Sequence, residues 1–94
     1  MKQITKANFD KHGIGRQPSP VEIMTGARPT EERAWFIHEK LLGIVLFDLI
    51  DHDWSFAALH RENDCYCCFD VGVGYGTFVQ AIQALEKCLK LGDR

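Results

Sequence analysis

The chain has 94 residues, 46% of them hydrophobic and 26% charged, with a formal net charge of −2. This length allows one domain and not two, and the composition is that of a folded protein. The chain lacks the excess of basic residues that binds nucleic acid or an anionic membrane surface, so neither is an expected partner.

Residues 1–29 contain glycines and prolines too densely for a long helix or strand. We therefore expect an irregular arm over 1–29 that packs on a single domain of residues 30–94. The longest apolar run, residues 41–50, includes Asp48 and is about half a membrane span. We recognise no targeting signal in the sequence, and reduced cysteines are the simplest interpretation of its four thiols. We therefore expect a cytoplasmic protein with no membrane partner.

A first helix is predicted over residues 30–42. Thr30 suits an N-cap, two glutamates follow it in the first turn, and Gly43 suits a terminator. The apolar positions that recur at helical spacing are Ala34, Ile37, His38 and Leu41. An alternative extends this helix through Asp48, against which Gly43 and the β-branched residues argue.

Three strands are predicted next, over residues 44–50, 54–60 and 65–75, with short polar turns between them. Short turns imply an antiparallel meander. A C-terminal helix follows, capped by Thr77, because apolar residues from Phe78 to Leu89 repeat at helical spacing. The predicted fold is α+β, in the order arm, helix, three-stranded antiparallel meander, helix (α-β-β-β-α), with both helices on one sheet face.

This order of elements over residues 30–91 is similar to that of double-stranded RNA-binding domains, including a glycine-rich approach, residues 74–76, to the last helix. The resemblance implies lysines at the start of that helix, which contact phosphates. Here Phe78, Val79 and Gln80 occupy those positions. Because phosphate contacts supply much of the affinity, RNA binding is the weakest functional alternative.

The sheet face away from the helices is expected to be too apolar to stand in water. With Trp54 as an added anchor, we predict a homodimer or larger homo-oligomer through this face. The predicted interface residues are Leu46, Ile50, Trp54, Ala57, Leu59, Tyr66 and Cys68. The favoured function is therefore a small, non-enzymatic binding module that works as a homo-oligomer.

A second hypothesis is a small-molecule or metal site, possibly enzymatic, at the turn Asp51-His52-Asp53. Its other candidate ligands are His60, Cys65 and Cys67. Cysteines two apart on a strand lie about 6.6 Å from each other, too far for neighbouring zinc ligands, so no metal is predicted. The sequence contains no recognisable catalytic signature, and we predict no catalytic residue and no cofactor.

Overall fold

Five antiparallel strands and one helix make up the described part of the chain. The computed structural model describes residues 1–4, 30–62 and 65–92, without the side chains of residues 61, 62, 65 and 66. The elements are β1 (Lys2–Ile4), β2 (Thr30–His38), β3 (Leu41–Asp48), β4 (Trp54–Glu62), β5 (Cys65–Tyr75) and α1 (Phe78–Gly92). The strands follow one another in a single sheet in chain order, so the fold is a five-stranded meander with a C-terminal helix.

The predicted fold, with a three-stranded meander between two helices, is wrong. Residues 30–42 do not form a helix but form β2, a two-residue turn and the start of β3. Lys2–Ile4, predicted as part of an irregular arm, pairs with β2 around Trp35. The rest of the predicted arm, residues 5–29, lies outside the described residues. The resemblance to RNA-binding domains required the first helix, so it is lost with that helix.

The helix α1 packs on one side of the sheet, which we call the helix face. Its side chains Ala81, Leu85 and Leu89 are fully buried. They belong to one cluster with side chains from β2, β3 and β4, namely Ala34, Phe36, Leu41, Val45, Phe56 and Ala58. The predicted amphipathic C-terminal helix is confirmed. No helix of the described residues is long and apolar enough to cross a membrane.

The start of α1 is fixed by a reciprocal cap. The Gln80 backbone N–H donates to Thr77 Oγ1 at 3.1 Å. In return, Gln80 Oε1 accepts hydrogen bonds from the backbone N–H groups of Gly76 and Thr77, at 3.1 and 3.2 Å. This is a capping box, which satisfies backbone donors that the first helical turn leaves open.

The opposite side of the sheet, which we call the second face, is also apolar and buried. Its cluster consists of Ile4, Trp35, Leu42, Ile44, Leu46, Ala57 and Leu59. Ile37 and Cys68 pack against this cluster. Central strands that are buried on both faces have continuous apolar sequences instead of alternating ones. This explains why residues 34–36 of β2 and residues 41–46 of β3 lack the two-residue period that identifies a half-exposed strand.

Candidate functional site: an acidic cavity at the β3–β4 turn

The second face changes from apolar to polar at the end of the sheet next to the β3–β4 turn. Thr30 on β2 pairs with Asp48 on β3, and Leu46 on β3 pairs with Ser55 on β4. Strand side chains alternate between faces, so Asp48 lies on the same face as Leu46, two residues earlier. Thr30, Asp48 and Ser55 therefore form a polar row beside the buried apolar cluster.

A cavity of about 210 Å³, which we call the turn cavity, opens at this polar row. Three carboxylate residues line it, Asp48, Asp51 and Asp53, together with the hydroxyl residues Thr30 and Ser55. Val73 and Gly74 of β5 complete the lining. Pockets for drug-sized ligands usually measure about 300–1,000 Å³. The turn cavity is therefore large enough for a small polar group and its water, and too small for a large ligand.

Asp48 builds the turn that borders the cavity. Its side chain is 7% exposed, and Oδ1 accepts hydrogen bonds from the backbone N–H groups of Ile50 and Asp51, at 2.8 and 2.9 Å. Its backbone N–H donates to the Asp53 carbonyl, and its carbonyl accepts from the His52 N–H, both at 2.9 Å. His52 completes the turn with a φ of 54°. These bonds hold Asp51 and Asp53 beside Asp48.

Ser55 is the second buried polar residue of the cavity. It is 5% exposed and lies among the lining residues. Within the described residues, its hydroxyl is not among the buried side-chain oxygens that lack a hydrogen-bond partner. Ser55 therefore adds a polar group to the cavity lining, and not an unpaired buried one.

Large apolar side chains stand exposed around the same turn. Leu49 is 45% exposed, Ile50 60% and Val73 72%. Leu49 and Ile50 lie between Asp48 and Asp51, and Val73 lines the turn cavity itself. Among the described residues, Val73 is therefore part of the cavity wall, whereas Leu49 and Ile50 are exposed in the turn and do not line the cavity.

An aromatic cluster supports the turn from the helix face. The Trp54 ring lies 4.9 Å from the Phe47 ring and 5.0 Å from the Phe78 ring, measured between centroids. His52 stacks on Phe47 at 6.0 Å with an interplanar angle of 8°. The Arg33 guanidinium lies 4.8 Å above the Phe47 ring and 5.7 Å from the Trp54 ring. These contacts fix both ends of the turn to the sheet.

Four of the predicted interface residues lie on the second face. Leu46, Ala57 and Leu59 are almost completely buried within a single chain. Cys68 is half-buried and packs against the same cluster. The three buried side chains therefore present almost no surface to a second copy.

The other three predicted interface residues are elsewhere. Ile50 is exposed in the β3–β4 turn. Trp54 contacts Phe47 and Phe78 on the helix face and is half-buried there. The side chain of Tyr66 lies outside the described residues. The six residues with described side chains thus do not form one continuous surface.

The predicted ligand residues fall into two separate groups. Asp51 and Asp53 line the turn cavity, and His52 lies in the same turn but stacks on Phe47. His60 pairs with Cys67 farther along β4, roughly 20 Å from Trp54 at the usual rise per residue. The side chain of Cys65 lies outside the described residues. No group of three or more His, Cys, Asp or Glu side chains in the described ranges could hold a metal ion.

The thiols of Cys68 and Cys88 are poor nucleophiles. Cys88 Sγ donates to Asp70 Oδ2 at 3.1 Å, and Cys68 Sγ donates to the Asp70 carbonyl at 3.3 Å. Burial raises the pKa of the Cys88 thiol from 9.0 to about 11, and the hydrogen bond to the Asp70 carboxylate adds to this increase. Burial also raises the pKa of Cys68. Both thiols therefore stay protonated at neutral pH, when a reactive cysteine needs its thiolate.

Sequence reasoning found the acidic turn but missed Thr30, Ser55 and Val73 as its neighbours. The sequence pattern favours Thr30 as a helix cap, which gives no indication that it pairs with Asp48. One signal was present: Asp48 and Ser55 are polar residues inside otherwise apolar strands.

A comparison of the chain with protein-family models, with curated proteins and with solved structures finds no match in any of the three.

Proposed function

We propose that this protein is a small, non-enzymatic binding module that holds an organic cation, an ammonium or guanidinium group, in the turn cavity. The observation that supports this proposal is the cavity lining: among the described residues, three carboxylates and two hydroxyls line about 210 Å³. A cation is the ligand charge that such a lining favours.

Hydrogen bonding supports the same ligand class. An ammonium group has three donors and a guanidinium group has five, and neither has an acceptor. Carboxylate and hydroxyl oxygens accept these donors, and bonds between ionised partners are about twice as strong as neutral ones. Val73 adds an apolar wall that suits the alkyl part of an organic cation better than it suits a hydrated metal ion.

The protonated thiols support a binding role without catalysis. Cys68 and Cys88 have raised pKa values and are therefore weak nucleophiles at neutral pH. Cys67, Cys68 and Cys88 are free of disulfides. Free thiols support a cytoplasmic location as part of this proposal, because disulfides form mainly in oxidising compartments.

Titration with n-butylammonium chloride, followed by backbone amide NMR shifts, tests the proposal. We expect saturable shifts at Ser55, Val73 and Gly74, and none with n-butanol, which has the same shape and no charge. The double variant Asp51→Asn/Asp53→Asn should weaken binding at least tenfold, since each charge-assisted bond contributes about 1.5–3 kcal/mol. Magnesium chloride and calcium chloride are titrated in the same way, to test whether the cavity prefers a metal ion to an organic cation.

The matched control is Glu39→Gln, which removes one carboxylate from the exposed β2–β3 turn at the opposite end of β3. It should bind n-butylammonium like the wild type. Equal shifts with n-butanol, equal affinity in the double variant, or a preference for the metal ions would each contradict the proposal.

Self-association is a second candidate function, supported by the outer edge of β5. This strand has 11 residues and pairs on one side with β4, and no described element pairs with its other side. It contains no lysine or proline, the residues that usually protect an edge strand from pairing. Its one charged residue, Asp70, accepts hydrogen bonds from the Val71 N–H and the Cys88 thiol.

The pairing of β5 with β4 is irregular at two places, which divides the edge into short regular runs. We therefore expect a weak homodimer whose mean mass rises with protein concentration in light scattering. Phe69→Lys places a lysine on the edge and should give a monomer, whereas Gln83→Lys on the exposed side of α1 adds the same charge and should still dimerise. A wild-type monomer at high micromolar concentration, or equal masses for both variants, would exclude this contact.

A further inference from the structure

The outer edge of β5 differs along its length in how regularly the strand is paired. Residues 65–68 pair without interruption with residues 59–62 of β4, and the register then shifts across Phe69. Residues 70–72 form a shorter regular stretch, and the register shifts again beyond it. Residues 65–68, which we call the cysteine run, are therefore the longest regular stretch along this edge.

Asp70 closes the shorter stretch to a further strand. Its Oδ1 accepts the Val71 backbone N–H at 2.9 Å in a solvent-exposed hydrogen bond. Its Oδ2 accepts the Cys88 thiol at 3.1 Å, which holds the carboxylate in place. A strand that joins an edge must bond to the free backbone groups there, and the Val71 N–H is already used. A further strand is therefore favoured at the cysteine run.

The cysteine run suits a second copy of the same chain because it contains no charged residue. A two-fold contact brings the same residues of both copies together, and like charges directly opposite each other would weaken it. We infer that a second copy pairs antiparallel with the cysteine run, so that Cys67 of each copy lies opposite a cysteine of the other. This inference rests on the self-association proposed above, and it names the stretch of β5 and the register that the dimer uses.

Symmetry limits the register of this contact. Residues directly opposite each other in a sheet lie on the same face, so the two-fold axis passes through a residue position and not between two. The interior positions of the cysteine run are Tyr66 and Cys67. An axis at Tyr66 sets Cys67 opposite Cys65 of the other copy, and an axis at Cys67 sets it opposite Cys67. Cys68 lies opposite no cysteine in either register.

Cys67 therefore reports the contact directly, because it is a free, half-buried thiol. Cα atoms of directly opposite residues in antiparallel strands are about 4.5–5.5 Å apart, within the range of about 4.4–6.8 Å that a disulfide spans. Diamide can then link the two copies. Two S–H bonds break and one S–S bond forms, and diamide takes up the two protons and two electrons to become its hydrazine.

The test is oxidation by diamide at the high micromolar concentration used for light scattering, followed by electrophoresis without reductant. We expect a covalent dimer from the wild type. Cys67→Ser should lose this covalent dimer, whereas the matched control Cys68→Ser should keep it, because that neighbouring thiol lies opposite no cysteine. Cys67→Ser should still associate in light scattering, which shows that this variant folds and lacks only the link.

The results separate the register from self-association itself. If the wild type dimerises in light scattering but diamide gives no covalent dimer, or gives as much from Cys67→Ser as from the wild type, the register is wrong and self-association stands. If the wild type stays a monomer and gives no covalent dimer, self-association is wrong and the inference falls with it. A covalent dimer that requires Cys67 and not Cys68 supports both.

Discussion

Gly43 lies directly under Leu85, at the point where α1 crosses the sheet. A Cβ atom added to Gly43 would be 2.7 Å from Cδ2 and 2.8 Å from Cδ1 of Leu85. Cβ atoms in proteins essentially never come this close to atoms to which they are not bonded. Gly43 is in the middle of β3, paired with Phe36 on one side and Ala58 on the other. The missing side chain therefore lets a fully buried helix residue approach the strand.

The first prediction concerns this contact. Gly43→Ala should lower the free energy of unfolding by about 1–2 kcal/mol, because the added methyl group overpacks the core and outweighs the gain in backbone stiffness. In a Leu85→Ala background the same change should be neutral or stabilising, since the methyl group then fills the space left by leucine. Urea denaturation of the four proteins gives the coupling energy directly.

Gly76→Ala is the matched control for that experiment. Its new Cβ would lie 3.4 Å from Gln80 Oε1, an ordinary contact, so the stability should change by less than about 0.5 kcal/mol. A Gly43→Ala protein as stable as the wild type would mean that α1 does not approach β3 as closely as described.

The same glycine explains why part of the fold could not be predicted. Before Gly43, the residues Ala34, Ile37 and Leu41 match helical spacing, and a glycine after them resembles a helix terminator. In the structure, residues 34–36 of β2 and residues 41–46 of β3 are buried, so polar residues do not alternate with apolar ones there. Local sequence cannot distinguish such strands from a buried helix, because the difference depends on pairing partners.

By contrast, the elements bounded by clear turn or cap residues were predictable. The stripe from Phe78 to Leu89 predicted α1, and the polar residues 51–53 predicted the β3–β4 turn. The acidic half of the candidate site was therefore visible in sequence. Its remaining lining came from β2 and β5, two strands whose positions follow only from the full sheet order.

The second prediction concerns Asp48 and the β3–β4 turn. Asp48→Ala should destabilise the protein by about 2 kcal/mol, because the N–H groups of Ile50 and Asp51 lose a shared acceptor and a buried site is left empty. Asp48→Asn retains the acceptor oxygen and should cost less than half as much. Chemical denaturation measures both, and hydrogen exchange at Ile50 and Asp51 reports the turn locally. Equal losses in the two variants would show that the charge, and not the acceptor, stabilises the turn.

The third prediction is the pH dependence of stability at Cys88. Burial, and then the hydrogen bond to Asp70, raises the pKa of this thiol from 9.0 to about 11, so the fold favours the protonated form. This contribution is fully present below pH 9 and is lost as the pH rises from 9 through 11. The loss of stability over that interval should therefore be smaller in Cys88→Ala than in the wild type. Parallel pH profiles for the two proteins would contradict the raised pKa.

The fourth prediction separates two hydroxyl groups with opposite roles. Ser55→Ala should change the free energy of unfolding by less than about 0.5 kcal/mol, because Ser55 lines the turn cavity and caps no helix or turn in the described residues. Thr77→Ala should lower stability by about 1 kcal/mol, because Thr77 Oγ1 caps α1. Urea denaturation measures both changes.

Affinity for n-butylammonium should show the reverse order. Ser55→Ala removes an acceptor from the turn cavity and should weaken binding about threefold to tenfold, whereas Thr77→Ala should leave affinity unchanged. A buried polar side chain that does not stabilise the fold, yet improves binding, is the expected signature of a site maintained for a ligand. If Ser55→Ala lowers stability and leaves affinity intact, the hydroxyl has a structural role and the cavity loses its buried hydrogen-bonding group.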